Sequence, residues 1–129
     1  MLRLLSVHHV ALIRSDDVPS RRFYVETIGL EIVSETVRQA RDSHKLDLRL
    51  PDGTQLELVS FPDPPPRPSD PEARGLRHLA FEVDDLDRVV TTLPSRGVSV
   101  EPIRLEELTG TRFTVLADPD GLPLELYER

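Results

Sequence analysis

Residues 51–58 read PDGTQLEL and residues 119–126 read PDGLPLEL. One turn and one strand are spelled twice, each time with a glutamate between two leucines. So long a match in a chain of 129 residues marks an internal repeat. Proline and glycine set the turn, and the alternation after it puts both leucines on one strand face and the glutamate on the other. Working back from each turn reaches a second match. HHVALIRSD opens the first half and RHLAFEVDD the second, aligning His9 with His78, Ala11 with Ala80 and Asp16 with Asp85. The turns align at an offset of 68 residues and the opening strands at 69, so one loop residue accounts for the difference.

Each half has the order βαβββ. In the first, SVHHVALI (6–13) predicts a strand. SDDVPSRRFYVETIG (15–29) predicts a helix, with Asp16 or Asp17 to cap it, Pro19 near its start and Gly29 at its stop. Val18, Phe23 and Ile28 are its expected buried side. LEIVSETVR, KLDLRL and TQLELVS predict three strands. In the second half GLRHLAFEV predicts a strand and DDLDRVVTTLPSRG a helix with acids at its start. VSVEPIRL, RFTVLA and LPLELYE predict three more strands. Between the halves, residues 61–75 hold six of the twelve prolines. Proline donates no backbone hydrogen bond, so this is a semi-rigid connector, partly polyproline II. The fold class is α+β: one domain of two βαβββ modules, about residues 4–60 and 75–129, joined by a connector over 61–74.

Composition narrows the function. The formal net charge is −7, so the chain lacks the basic surplus that binds polyphosphates, and nucleic acid is not an expected partner. No apolar run approaches the roughly 20 residues of a membrane helix. Two histidines interrupt the start, MLRLLSVHHVALI, and no signal peptide is expected. There is no cysteine, which removes disulfides, thiolate nucleophiles and Cys-based zinc sites, and fits a cytoplasmic location.

Strand parity then singles out four residues. His9, Glu57, His78 and Glu125 each lie on the face opposite the apolar residues of their own strand. A histidine begins and a glutamate ends each half, 48 and 47 residues apart. If the halves pack about a pseudo-twofold axis, two imidazoles and two carboxylates converge, a donor set suited to a divalent first-row metal ion. A lone histidine on a sheet, or a glutamate on a half-exposed strand, is ordinary surface chemistry. Four at matched repeat positions favour ligands. His8 points the other way and is read as structural or surface. His44 has no counterpart and is read as surface. Arg38, Arg41 and Arg112 lie in or beside strands that edge the cleft and are weak candidates for holding a substrate anion. Phe61 and Tyr127 are candidate lining residues near strand ends.

The pattern HHVALI…RRFYVETIGLEIV…PDGTQLELVSF…GLRHLAFEVDD…FTVLADPDGLPLELYE resembles the glyoxalase / vicinal oxygen chelate superfamily over nearly the whole chain. It looks closest to small bacterial glyoxalase-like proteins with a proline-rich connector. The resemblance implies two modules forming a U-shaped, half-barrel mixed sheet around one divalent ion (Ni, Co, Zn, Mn or Fe). The family's ligand positions fall on His9, Glu57, His78 and Glu125. It also implies a lyase or isomerase of glyoxalase I type, moving a proton next to a carbonyl through an enediolate, with Glu125 as base and Glu57 as its near-symmetric partner. The substrate is a small molecule that presents two vicinal oxygens. Ile13 stands where resembling glutathione-dependent enzymes carry an arginine, which speaks against glutathione. The resemblance further implies a homodimer. Its alternatives are a non-catalytic drug-binding protein and an iron-dependent dioxygenase.

Overall fold

A computed structural model describes residues 2–129. The chain forms two compact units, one up to Pro66 and one from Arg67 to Arg129, and the boundary falls inside the proline-rich stretch. The first contains β1 (His9–Arg14), α1 (Asp17–Arg21), β2 (Glu31–Arg38), β3 (Ser43–Arg49) and β4 (Gln55–Ser60). The second contains β5 (Leu79–Val83), α2 (Leu86–Ser95), β6 (Arg104–Leu105), β7 (Arg112–Ala117) and β8 (Pro123–Glu128). Each unit is one four-stranded mixed sheet. The orders are β1-β4-β3-β2 and β5-β8-β7-β6, so the first and last strands of each module lie side by side and parallel. The βαβββ order read from the repeat is what forms in both units.

Capping residues sit where the sequence puts them. Asp16 accepts from the Val18 backbone N–H at 3.3 Å and Asp85 from that of Arg88 at 3.0 Å, satisfying amides that a first helical turn leaves open. Gly29, at φ 94°, ends the first helical segment in a conformation that costs other residues strain. The buried faces are leucine-rich: Leu12, Leu46, Leu48, Leu56 and Leu58 in the first unit, Leu86, Leu116, Leu124 and Leu126 in the second. Each fully buried leucine contributes about 1.5–3 kcal/mol over an exposed one, so these faces fix which way the alternating residues point.

Three expectations change. The first helix passes after Arg21 into a π-helical stretch, Arg22–Thr27. Phe23 and Tyr24 within that stretch are buried side by side, and in α1 before it Ser20 is buried whereas Val18 is 61% exposed. The strand expected over 98–105 contracts to Arg104–Leu105, because Pro102 cannot donate to a ladder. His8 precedes β1 rather than lying within it. No helix among the described residues is long and apolar enough to cross a membrane.

Candidate metal-ligand pairs

Parity along β1 leaves Leu12 and Arg14 buried and His9, Ala11 and Ile13 exposed. β4 does the same, burying Leu56 and Leu58 and turning Glu57 to the open face. Register aligns Ala11 with Glu57, so His9 stands two residues before the glutamate's partner on the neighbouring strand. The small Ala11 side chain leaves room, and the His9 Nε2 to Glu57 Oε2 distance is 3.6 Å. The second unit repeats this. Ala80 aligns with Glu125, and His78 Nε2 lies 3.5 Å from Glu125 Oε1.

These separations bear on what the pairs can hold. Both exceed a normal N–H···O hydrogen bond, so neither histidine is satisfied by its glutamate. Nitrogen and oxygen donors each about 2.0–2.2 Å from one ion, at about 90–109° to each other, lie about 2.8–3.6 Å apart. Both pairs stand at the upper end of that range. Imidazole and carboxylate are also the donor types such ions take. Each pair therefore fits as a two-donor set within its own unit. Among the described residues no three His, Cys, Asp or Glu side chains gather into a metal-binding group.

The surroundings of the two glutamates differ. On the first open face, Asp47 lies directly opposite Glu57 and Lys45 one row along, opposite Val59. The Lys45 ammonium is 3.5 Å from Glu57 Oε1 and 3.6 Å from Asp47 Oδ2. On the second, the residue opposite Glu125 is Val115, and Phe113 stands opposite Tyr127. The Phe113 and Tyr127 rings stack at 4.9 Å with planes 6° apart. Burial pushes the Tyr127 phenol pKa up, and the adjacent Glu125 carboxylate, as charge and as hydrogen-bond partner, pushes the same way. A groove of ≈ 390 Å³ in the second unit is lined by Ser99, Val100, Glu101, Val115, Leu116, Ala117 and Pro123, and Val115 is the register partner of Glu125.

The weaker candidates sort plainly. Arg112 shares strand parity with buried Thr114 and Leu116, not with the open-face residues Phe113 and Val115. It donates to Asp87 of α2 at 2.7 Å and to Glu128 at 3.2 Å. Its guanidinium ties the sheet to the helix, on the side away from the open face. Asp87 holds the Arg112 pKa up, and Arg112 holds that of Asp87 down. Arg38, at the end of β2, and Arg41, in the 3-10 turn Gln39–Arg41, are exposed. Phe61 follows β4 and is 41% exposed.

Two further histidines have partners that the sequence alone does not reveal. His8 Nδ1 lies 2.9 Å from His9 Nδ1, so one ring orients the other. His44 is not a surface residue. Arg14, 2% exposed, reaches it across the buried face, and its Nε2 is 2.6 Å from Glu35 Oε1. A guanidinium only donates, so His44 Nδ1 accepts from Arg14 and Nε2–H donates to Glu35. Arg14 also donates to Ser20 Oγ at 3.1 Å and pairs with Asp17 at 2.9 Å. Burial lowers the Arg14 pKa, and Asp17 opposes that. The signal was parity: Arg14 shares the face of Leu12, and His44 lies opposite Ser60, which lies opposite Arg14.

Comparison with known proteins gives a consistent result. A model of the Glyoxalase/Bleomycin resistance protein/Dioxygenase superfamily matches residues 6–126. The uncharacterized protein YwkD of Bacillus subtilis is 54% identical over 126 residues, 98% of each chain. The uncharacterized protein YaeR of Escherichia coli is 54% identical over 129 residues, 100% of each chain. The crystal structure of a glyoxalase family protein from Enterococcus faecalis superposes with a TM-score of 0.89 at 44% identity. That match covers 95% of this chain and 97% of the other.

Proposed function

The chain belongs to the Glyoxalase/Bleomycin resistance protein/Dioxygenase superfamily, and from that premise we propose that it is a metal-dependent lyase or isomerase of glyoxalase type. The proposed centre takes one divalent ion on His9, Glu57, His78 and Glu125, one pair from each half, drawn from one chain or from two copies of it. The observation that carries this reading is the repeated register. In both units a histidine stands two residues before an alanine, and that alanine faces a glutamate whose oxygen lies about one ligand–ligand spacing from the imidazole.

When bound, the ion stabilises negative charge that builds on two neighbouring substrate oxygens. The remaining work falls to side chains. In the proposed centre His9 carries its proton on Nδ1, 2.9 Å from His8 Nδ1, and so keeps the Nε2 lone pair for the ion on the side of Glu57, the kind of outer contact that fixes a ligand's tautomer. Glu125 removes the proton on the carbon next to the carbonyl and returns it to the adjacent carbon. Its surroundings suit a base better than those of Glu57, because no lysine sits at the matching place on its sheet. The Phe113–Tyr127 stack beside it presents apolar surface, which thins the water around a reacting proton. The substrate class is a small carbonyl compound with a vicinal oxygen.

The test is metal titration of chelator-treated protein with Ni, Co, Zn and Mn, read by calorimetry and thermal shift. It is followed by deuterium exchange from D₂O into a panel of 2-hydroxy- and 2-oxocarbonyl compounds, read by NMR. One-site binding, exchange in the loaded protein and loss of exchange with retained metal in Glu125→Gln are expected. Full exchange in Glu125→Gln would remove the base assignment. Absence of any metal binding would remove the enzyme reading and leave a small-molecule binding protein.

A further inference from the structure

We propose that Lys45 is a positioning residue for Glu57: it occupies one carboxylate oxygen, so that Glu57 offers only the other to the metal ion. This rests on reading Glu57 as a ligand. The chain has 16 basic residues and Lys45 is its only lysine. It lies on the open face of the first sheet, and its Nζ is 3.5 Å from Glu57 Oε1. The other oxygen, Oε2, is the one facing His9 Nε2. The two oxygens of one carboxylate are thus turned to different partners.

The support around Lys45 is built in. Asp47, 7% exposed, holds the ammonium from the far side at 3.6 Å, and Ser34 Oγ donates to its Oδ2 at 2.8 Å. The second Asp47 oxygen, Oδ1, is buried without a hydrogen-bond partner, and among the described residues Lys45 is the one cation paired with this carboxylate. An ammonium with three rotatable donors can address two carboxylates at once, whereas a guanidinium fork closes on one in bidentate fashion. A lysine does here what the fifteen arginines elsewhere would not.

Carboxylates bind cations through one oxygen or both. With Lys45 on Oε1, Glu57 is a one-atom donor, and positions remain open for two substrate oxygens. In the second unit the register positions of Lys45 and Asp47 hold Phe113 and Val115, so Glu125 is not fixed in this way. The repeat makes the two glutamates equivalent in sequence. Lys45 makes them unequal in role: Glu57 stays, and Glu125 is free to loosen and act as base.

The test uses the full chain with cobalt(II) as probe metal in wild type and Lys45→Met. Acetohydroxamate, which binds through two oxygens, and thiocyanate, which binds through one atom, are then titrated into each cobalt protein by visible absorption. Loss of positive charge weakens both anions alike, whereas a second Glu57 oxygen on the metal weakens acetohydroxamate alone. Lys45→Met, which removes a like charge beside the dication and frees a second carboxylate oxygen, is expected to bind cobalt about tenfold more tightly while its acetohydroxamate-to-thiocyanate affinity ratio falls about tenfold. Lys45→Gln carries the same test should the methionine variant fail to fold. Parallel weakening of cobalt and both anions would mark a merely structural lysine and overturn the inference. So would a cobalt affinity and an anion ratio both within twofold of wild type. A wild-type protein that binds no cobalt would instead remove the metal reading itself.

Discussion

Replacing Asp17 by alanine tests whether the buried Arg14 holds the first helix to its sheet. The Arg14 side chain is 2% exposed, and Asp17, 35% exposed, is its nearest carboxylate at 2.9 Å. Stripping the partner from a fully buried ion pair costs roughly 3–5 kcal/mol. Here Asp17 is partly hydrated, and Ser20 and His44 still accept from Arg14, so about 2 kcal/mol is the reasoned share. Asp17 also pairs with Arg21 across one helical turn and lies at the helix start, which adds about 0.5 kcal/mol. The total of about 2.5 kcal/mol, set against an unfolding entropy of about 0.27 kcal/mol/K for a chain of this length, lowers Tm by roughly 9 °C. Removing the buried charge reverses most of that: in an Arg14→Met background, Asp17→Ala should cost only about 0.5 kcal/mol, or roughly 2 °C. Thermal melts of the four proteins by circular dichroism at pH 7 measure the coupling. If Asp17→Ala costs the same in both backgrounds, the two residues are not coupled and Arg14 is anchored by something else.

Further expectations follow from single contacts. Asp85→Ala leaves the Arg88 amide without its cap and should cost about 1 kcal/mol, roughly 4 °C in Tm. Ala80→Leu, on an exposed position opposite Glu125, should leave the melt of metal-free protein nearly unchanged, within about 0.5 kcal/mol, while cobalt titration shows metal uptake at least about tenfold weaker. Asp87 carries a pKa held down by Arg112. A depressed acid contributes stability above its unfolded pKa and loses it as pH falls through the folded value. Wild-type Tm should therefore drop below about pH 4, and Arg112→Met should show a shallower drop over that window. Equal slopes in the two proteins would dismiss the pair as a source of acid sensitivity.

Much of this was legible because the chain is written twice. The PDG turns and the opening strands named His9, Glu57, His78 and Glu125 without any structure, and strand parity put each on the face away from its leucines. What parity could not supply was the neighbour across the sheet. Arg112 reads alone as a cation near a cleft. Parity sets it with buried Thr114 and Leu116, but only the helix packed beneath it supplies the partner, Asp87, that holds the same guanidinium. His44 reads alone as polar filler, because its partner Arg14 is 30 residues distant and the pairing β1-β4-β3 brings them together. The π-helical stretch at Arg22–Thr27 was equally hidden, since Phe23 and Tyr24 satisfy an α-helical pattern nearly as well.

Duplication yields equal positions, and chemistry on a shared centre needs unequal ones. Along these sheets the differences are specific. Lys45 stands where the second unit has Phe113, Asp47 where it has Val115, Val59 where it has Tyr127, and His8 where it has Arg77. Every one of these positions neighbours a histidine or glutamate of the proposed centre, in sequence or across the sheet. The first unit has spent its substitutions on charge: an ammonium and a second carboxylate beside Glu57, and an imidazole beside His9. The second has spent them on aromatic surface beside Glu125. On the proposed reading, Glu57, with an ammonium on one oxygen, is the steady ligand, and Glu125, beside stacked rings and without a lysine, is the base. The proposed division of labour between ligand and base lies in the residues that break the repeat, and the residues that keep it mark only the place of the proposed centre.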